Sequence, residues 1–416
     1  MIEGGPDTFL ATKPWGVKLC RELGLESRLH GTNPHQANTY VLHQGRLYRL
    51  PEGLTMMIPT RLSSMAKTGL LSWPQKARMG LDFILPAASP NGDESLGSFV
   101  SRRLGRAAYE RLIEPLMSGI YAGDGDKLSL QATFPYLREL EVKHGGLVRG
   151  ALSTRRQMSA SGKKSPGLRN AFLTPTTGLA EIVDALVRRL QDAGVALRKS
   201  TAVKFLDREH PHYRLKLETG EILSADWLIL ATPAFSAGDL IADLNPALAS
   251  ELHKIEYVST ATISLAYRQS DLPRPLDGYG YVIPRREGRK ALACTWTSTK
   301  FPHRAPDGFA LLRVFVGRAG QEADIQWNEA GLLTLARDEL RQTMGIQAEP
   351  SFARVFSWER AMPQYNLGHP ERLVRIETSL QKSPGLALAG NGYRGIGIPD
   401  CIHSGEQAAL KILTSE

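Results

Sequence analysis

The chain has 416 residues, 51 Lys plus Arg against 42 Asp plus Glu, and a formal charge of +9. That length allows two or three domains with real cores, and the composition excludes disordered and fibrous classes. No apolar run approaches the ~18 residues of a membrane span, and no aromatic-and-basic motif accompanies the positive charge, which argues against nucleic acid as a partner.

Glu3 and Asp7 stand where a signal peptide would need an apolar stretch. Cys20, Cys294 and Cys401 are too far apart for a Cys-x-x-Cys site or a disulfide framework, which fits a reducing cytoplasm. Thr12 to Gly24 reads as a helix with Thr12 as N-cap, Pro14 in the first turn and Gly24 at its C-terminal stop. Val41 to Leu50 alternates and then meets Pro51-Glu52-Gly53, which predicts a hairpin. Residues 61–155 are helix-rich, with apolar helical spacing over Ser98–Leu116 and again over Leu128–Val142. Thr154 to Pro166 is polar and Ser/Gly-rich, the composition of a flexible linker.

Thr176-Thr177-Gly178 leads into an amphipathic helix through Ile182, Val183, Leu186 and Leu190, ending at Gly194. Val195-Ala196-Leu197 follows as a strand, then a meander at 202–205, 213–217 and 221–222. Trp227 to Ala231 is a continuous apolar run into Thr232-Pro233, the pattern of a buried parallel strand. Strands are expected at Ala261–Tyr267, Gly280–Ile283, Ala291–Thr297, Ala310–Val316 and Val355–Trp358, with a helix at Ala330–Met344. The ten histidines form no metal pattern; His210-Pro211-His212 reads as a solvated turn.

Near the end, Gly390, Gly392, Gly395 and Gly397 fall within eight residues. They lie between a small apolar strand, Gly385–Ala389, and a helix from Ile402 to Leu413. Such a turn brings bare backbone N–H groups and a helix N-terminus up to a ligand, and glycine permits the close approach. A large, flat, electron-rich cofactor suits this better than a metal. The layout predicts an α/β protein: a split, doubly wound cofactor domain (1–60, 170–245 and 355–416), a helical insert (61–155) and a β-rich insert (246–354).

The chain resembles the oxygen-dependent protoporphyrinogen and coproporphyrinogen oxidases of the flavin amine oxidase superfamily. The resemblance is carried by Ile2-Glu3-Gly4-Gly5-Pro6-Asp7-Thr8-Phe9, Gly119-Ile120-Tyr121-Ala122-Gly123-Asp124, Leu128-Ser129-Leu130, Thr295-Trp296-Thr297-Ser298, Pro363-Gln364-Tyr365 with Gly368-His369, and the C-terminal glycine motif. It implies an FAD enzyme of haem synthesis that oxidises a porphyrinogen with molecular oxygen. It places Glu3, Gly4, Gly5, Val203, Trp358, Gly390, Asn391, Gly397, Ile398 and Pro399 at the cofactor. It places Trp296, Val282, Ile283, Gly119, Gly123 and Thr39 near the substrate, Thr39 standing where some relatives carry an arginine for a propionate. Arg46 or Arg49 would then meet the carboxylates. No side chain is expected to act as a catalytic acid or base, because the flavin takes the hydride.

Ordinary readings stand beside these. Trp296 and Ile283 also fit a strand core, and Asn391 also fits a turn cap. The stripe at Leu112-Ile113 and Leu116-Met117 fits either core packing or peripheral membrane contact at the inner face of the plasma membrane, and a homodimer is compatible with the sequence. One departure is plain: relatives begin with a strand and a Gly-x-Gly-x-x-Gly turn, and no such turn precedes Glu3. The expectation is therefore an N-terminally incomplete chain with impaired FAD binding. Another oxidase or desaturase of the same superfamily, or a cofactor-poor remnant, are the alternatives.

Overall fold

Seven strands form the largest sheet, in the order Phe352–Pro363, Tyr257–Arg268, Phe309–Val316, Ala291–Trp296, Gly278–Val282, Asn38–His43 and Arg46–Arg49. The computed structural model describes residues 1–55, 58–59, 61–88, 92–160, 171–209, 211–323 and 325–414. The chain divides into two compact units: residues 1–6, 31–172 and 258–362, and residues 7–30, 173–257 and 363–416. Residues 61–155 and most of 246–354 thus share one unit. Residues 31–60 join them, because Asn38–His43 runs parallel to Gly278–Val282.

In the first unit the sheet alternates. Leu42, Tyr281, Ile283, Cys294, Trp296, Leu312, Val314, Ile263 and Leu265 gather in one core with Leu332, Ala336, Leu340 and Met344 of the helix Glu329–Met344. The four-residue spacing on that helix lays one apolar stripe on the pleat. Burial of each large side chain contributes about 1.5–3 kcal/mol. The first hairpin turns at Gln44-Gly45, not at Pro51–Gly53. Both turn residues have positive φ, 51° and 73°, so their twist matches that of the flanking strands.

The helical part of this unit includes Leu96–Leu104, capped by Ser95, whose hydroxyl accepts from Ser98 N–H. Gly105, at φ 90°, ends it. Residues Tyr109–Ile113 are a π-helical turn, followed by Glu114–Tyr121 with Pro115 in its first turn. Proline has no N–H and crowds the carbonyl four residues back, so the helix widens just before it. Leu112, Ile113 and Met117 are buried. Of the two readings left open for this stripe, the burial of these three side chains supports core packing, and no described helix is long and apolar enough to cross a membrane.

Beneath these helices lies a buried ion pair. Arg103 and Asp82 are both fully buried, with Nε to Oδ1 at 2.7 Å. The guanidinium also donates to the carbonyls of Leu85, Pro86, Asp82 and Gly145 at 2.8–3.1 Å, so five donors meet five acceptors. The helix Leu147–Ala160 covers Thr154 to Ala160, correcting the linker there; 161–166 lie outside the described residues.

In the second unit the helix near the start runs Pro14–Glu22 with Lys13, not Thr12, at the N-cap. Gly24 follows at φ 73°, as its stop signal requires. The meander forms as expected from Val203–Glu209, His212–Leu217 and Ile222–Ala225; His210 lies outside the described residues. Leu228–Leu230 pairs in parallel with Leu386–Leu388 as expected, but Ile229 is 38% exposed and only Leu230 of Trp227–Ala231 is buried, so the expected burial of the strand is not met. Val195 to Leu197 forms no strand, and both apolar residues stay exposed.

The helix Ala180–Asp192 begins where Glu181 accepts from the N–H and hydroxyl of Thr177 at 3.0 and 2.6 Å. Its bond to Arg28 holds the Glu181 carboxyl down at about 2, against an ordinary 4.5. A depressed carboxylate stabilises the fold above its unfolded range and loses that effect as pH falls through the folded value. Glu181→Gln should lower the unfolding midpoint at pH 6, and the difference from the parent should close between pH 4.5 and about 2. A gap that persists at pH 2 would refute the assignment.

Candidate functional site

The glycine-rich turn belongs to the second unit. Gly385–Ala389 leads in, with Ala389 N–H donating to Leu230 O at 3.0 Å. The helix that leaves it is Ile398–Leu413, four residues longer at its start than the sequence spacing predicts. Gly397 is its N-cap, Pro399 sits in the first turn and Asp400 is the third helical residue. Asp400 accepts from Gly397 N–H at 3.2 Å and holds Lys13 Nζ at 2.6 Å. Ile398 and Asp400 N–H have no intrahelical acceptor at this end, and Pro399 has no N–H to satisfy.

Backbone shape requires glycine at two points here. Gly390 has φ 122° and Gly395 φ 129°, a region closed to side-chain-bearing residues. A Cβ on Gly390 would meet nothing nearer than Ala231 O at 3.9 Å, so space is open beside it. The loop rests on aromatic side chains. Tyr365 Oη donates to Asn391 O at 2.6 Å and accepts from Gly395 N–H at 2.8 Å. His369 Nε2 bonds Tyr393 O at 2.9 Å, and since a carbonyl only accepts, Nε2 carries the proton. Burial, with Tyr257 close by, pushes the Tyr393 phenol well up. Among the described residues no hydrogen bond is made by the Asn391 side chain, while its main-chain carbonyl accepts from Tyr365. Open space, strained glycines and a helix N-terminus whose first-turn N–H groups lack intrahelical acceptors fit a planar cofactor. Val203, at the start of its strand opposite Leu217, lies in the same unit.

The first unit carries a second group of expected residues. Pairing registers lay two rows across one face of the sheet. One is Thr39, Gly280, Thr295, Arg313 and Ser264; the next is Val41, Val282, Ala293, Phe315 and Thr262. Val282, Ala293 and Phe315 pack with Leu292 and Ala122. The Glu3-Gly4-Gly5 block crosses the same face: Gly4 O accepts from Thr262 Oγ1 at 2.9 Å and from Trp358 Nε1 at 2.8 Å, and Gly5 O accepts from Arg313. Glu3 reaches the buried Arg304 at 3.3 Å. Gly4 is thus brought against Trp358, and Thr39 and Val282 lie further across the same face of the sheet.

Trp296 and Ile283 do not share that face. Side chains alternate along a strand, and both point to the helix-covered core, where they are 2% and 0% exposed. Their burial in that core speaks against the expected substrate wall for these two, and Val282, Thr295 and Phe315 lie on the opposite face of the sheet. Pairing with His43 puts Arg46 on the Thr39 side; pairing with Tyr40 puts Arg49 on the other.

Gly119 is exposed in the helix Glu114–Tyr121, and Ala122 follows at φ 48°. Arg285 holds the segment down by donating to Gly123 O at 3.2 Å and Ala319 O at 2.9 Å. Glu114 accepts from Arg285 N–H at 3.0 Å and from Ser118 at 2.7 Å. Burial lowers the nearby Arg318 to about 10, partly opposed by Glu114. Sequence reasoning missed Arg313; its signal is a cation inside the apolar strand Phe309–Val316.

Comparison with known families matches residues 1–413 to flavin-containing amine oxidoreductases. The coproporphyrinogen III oxidase of Bacillus subtilis is 38% identical over 415 residues, covering 100% of this chain and 87% of the relative. The chloroplastic protoporphyrinogen oxidase of Oryza sativa is 30% identical over 82% of this chain and 67% of the relative. A crystal structure from Exiguobacterium sp. 255-15, provisionally assigned as a protoporphyrinogen oxidase, superposes with a TM-score of 0.87 at 32% identity, over 100% of this chain and 88% of that one.

Proposed function

Because the chain belongs to the flavin-containing amine oxidoreductase family, we propose that it oxidises a porphyrinogen, foremost coproporphyrinogen III, to the porphyrin in haem biosynthesis, with FAD as cofactor and oxygen as acceptor. The observation that carries this reading is the 38% identity along the whole chain to a coproporphyrinogen III oxidase. The uncharged macrocycle needs broad apolar walls and few polar groups. Val282, Ala293, Phe315 and Ala122 supply such a surface.

When bound, the flavin supplies a hydride acceptor, so the difficult chemistry belongs to the cofactor. The chain's residues bind and orient. Gly390, Asn391, Gly397, Ile398 and Pro399 would hold the flavin ring, where the first-turn N–H groups of Ile398 and Asp400 would favour an electron-rich group. By the family resemblance Glu3, Gly4, Gly5, Trp358 and Val203 would serve the rest of FAD. Thr39, Val282, Gly119 and Gly123 border the substrate, and Arg46 meets a rim carboxylate. No acid–base pair is required, since burial of the reacting carbon against the ring and exclusion of water do the work asked of the protein.

A second reading, protoporphyrinogen as substrate, is supported by the plant relative. Anaerobically prepared coproporphyrinogen III and protoporphyrinogen IX, each mixed with the FAD-loaded protein in air, separate the two by porphyrin fluorescence. Faster gain with the four-carboxylate substrate is expected. No gain with either sinks the proposal.

A further inference from the structure

Tyr365 and His369 lie in two of the blocks that carry the family resemblance, and no role follows for them from the sequence. Both are fully buried. Gly368, at φ 83°, turns the chain so that His369 opens the helix His369–Leu380 directly after Tyr365. Their rings stack at 4.2 Å and 13°. From this platform the Tyr365 hydroxyl reaches both ends of the bend Asn391–Gly395, donating to one and accepting from the other. His369 takes the carbonyl between them, that of Tyr393. Three main-chain groups in five residues are therefore fixed by two side chains outside the loop. The donor and acceptor roles are directional, because a phenol has one proton.

We propose that Tyr365 is a positioning residue for the flavin, with His369 as its support: the hydroxyl sets the curvature of residues 391–395 and hence where the N–H groups of Ile398 and Asp400 meet the ring. This rests on the flavin reading above. The strained glycines make the dependence acute. Gly390 and Gly395 have no side chain to lock them, so the shape of the bend comes from bonds made to it. Hydrogen bonds aimed at the pyrimidine edge change in strength with small displacements, and they alter the relative stability of oxidised and reduced flavin.

Tyr365→Phe keeps the ring stack and the volume and removes both hydroxyl bonds. In the cofactor-free protein, amide exchange at Gly395 should accelerate while the strands of the first unit keep their protection. FAD should bind about tenfold more weakly. The midpoint potential and the visible circular dichroism of the flavin that remains bound should both move from those of the parent. A purely structural role would lower the unfolding midpoint and leave potential and spectrum unchanged, and that result overturns the inference. If Tyr365→Phe does not fold, His369→Gln is read the same way, with a smaller shift expected; an unchanged potential and spectrum there also overturn it. Failure of the parent protein to bind FAD even in large excess overturns the flavin reading itself, whereas weakened binding is the expectation for this chain. Normal binding by the parent with an unaltered variant overturns only the role given to Tyr365.

Discussion

Gly395→Val yields a colourless protein. A Cβ at this position would lie 2.5 Å from Asp400 Cγ and 2.7 Å from Asp400 Cβ, and φ is already 129°. A β-branched residue cannot adopt that backbone without strain of about 1–3 kcal/mol. Relief requires moving Asp400, which is held by Lys13 and accepts from Gly397 N–H. Both anchors of the helix start are then lost, together with the direction of its first-turn N–H groups. Flavin affinity should fall by ~100-fold or more, equivalent to about 2.7 kcal/mol. The strands and helices of the first unit, which share no residue with this turn, should retain their circular dichroism. Titration of FAD into the purified variant checks the outcome, and tight stoichiometric binding would refute the site.

The second large effect is on stability. Arg103→Leu removes the partner of a fully buried carboxylate and leaves four carbonyls without their donor. Asp82 keeps only the Val148 N–H, at 2.8 Å, among its recorded side-chain bonds. Breaking one side of a buried pair costs about 3–5 kcal/mol, because an uncompensated charge stays in the interior. The unfolding midpoint should drop by roughly 10 °C. Arg103→Lys keeps the charge but replaces the planar fork of five donors by three, and should fall between the two. Calorimetry on the three proteins ranks them. A leucine variant as stable as the parent would show that the pair contributes nothing net.

How much of this was legible in the sequence follows from the range of the interactions involved. The strand at Trp227–Ala231, the strand before the glycines and the helix after Gly178 were readable, because their periodicity and stop signals are local. The parity of Trp296 was not. Whether a strand residue faces core or ligand depends on which face another element covers, and the helix Glu329–Met344 that covers this one lies more than thirty residues on. The turn at Gln44-Gly45 was hidden by the stronger-looking Pro51–Gly53. The strand expected at Val195–Leu197 has the right composition and lacks a partner, and an unpaired strand has no ladder to hold it. The bonds from Tyr365 and His369 to the glycine turn, and from Arg313 to Gly5, bridge 26, 24 and 308 residues, which no spacing rule reaches.

The chain passes between its two units after residues 6, 30, 172, 257 and 362. During synthesis the first unit therefore waits for its edge strand Phe352–Pro363, and the second waits for Leu386–Leu388 and the helix Ile398–Leu413. Domains of most proteins fold in turn as they leave the ribosome; here the first unit has all its segments once residue 362 is made, while the second, begun at residue 7, stays open until the helix Ile398–Leu413 emerges. Its yield in a cell should depend on chaperone supply more than on translation speed. A stop codon placed between residues 363 and 397 should leave the first unit's segments complete and expose the second unit to proteolysis, whereas one placed before residue 352 should leave both units open.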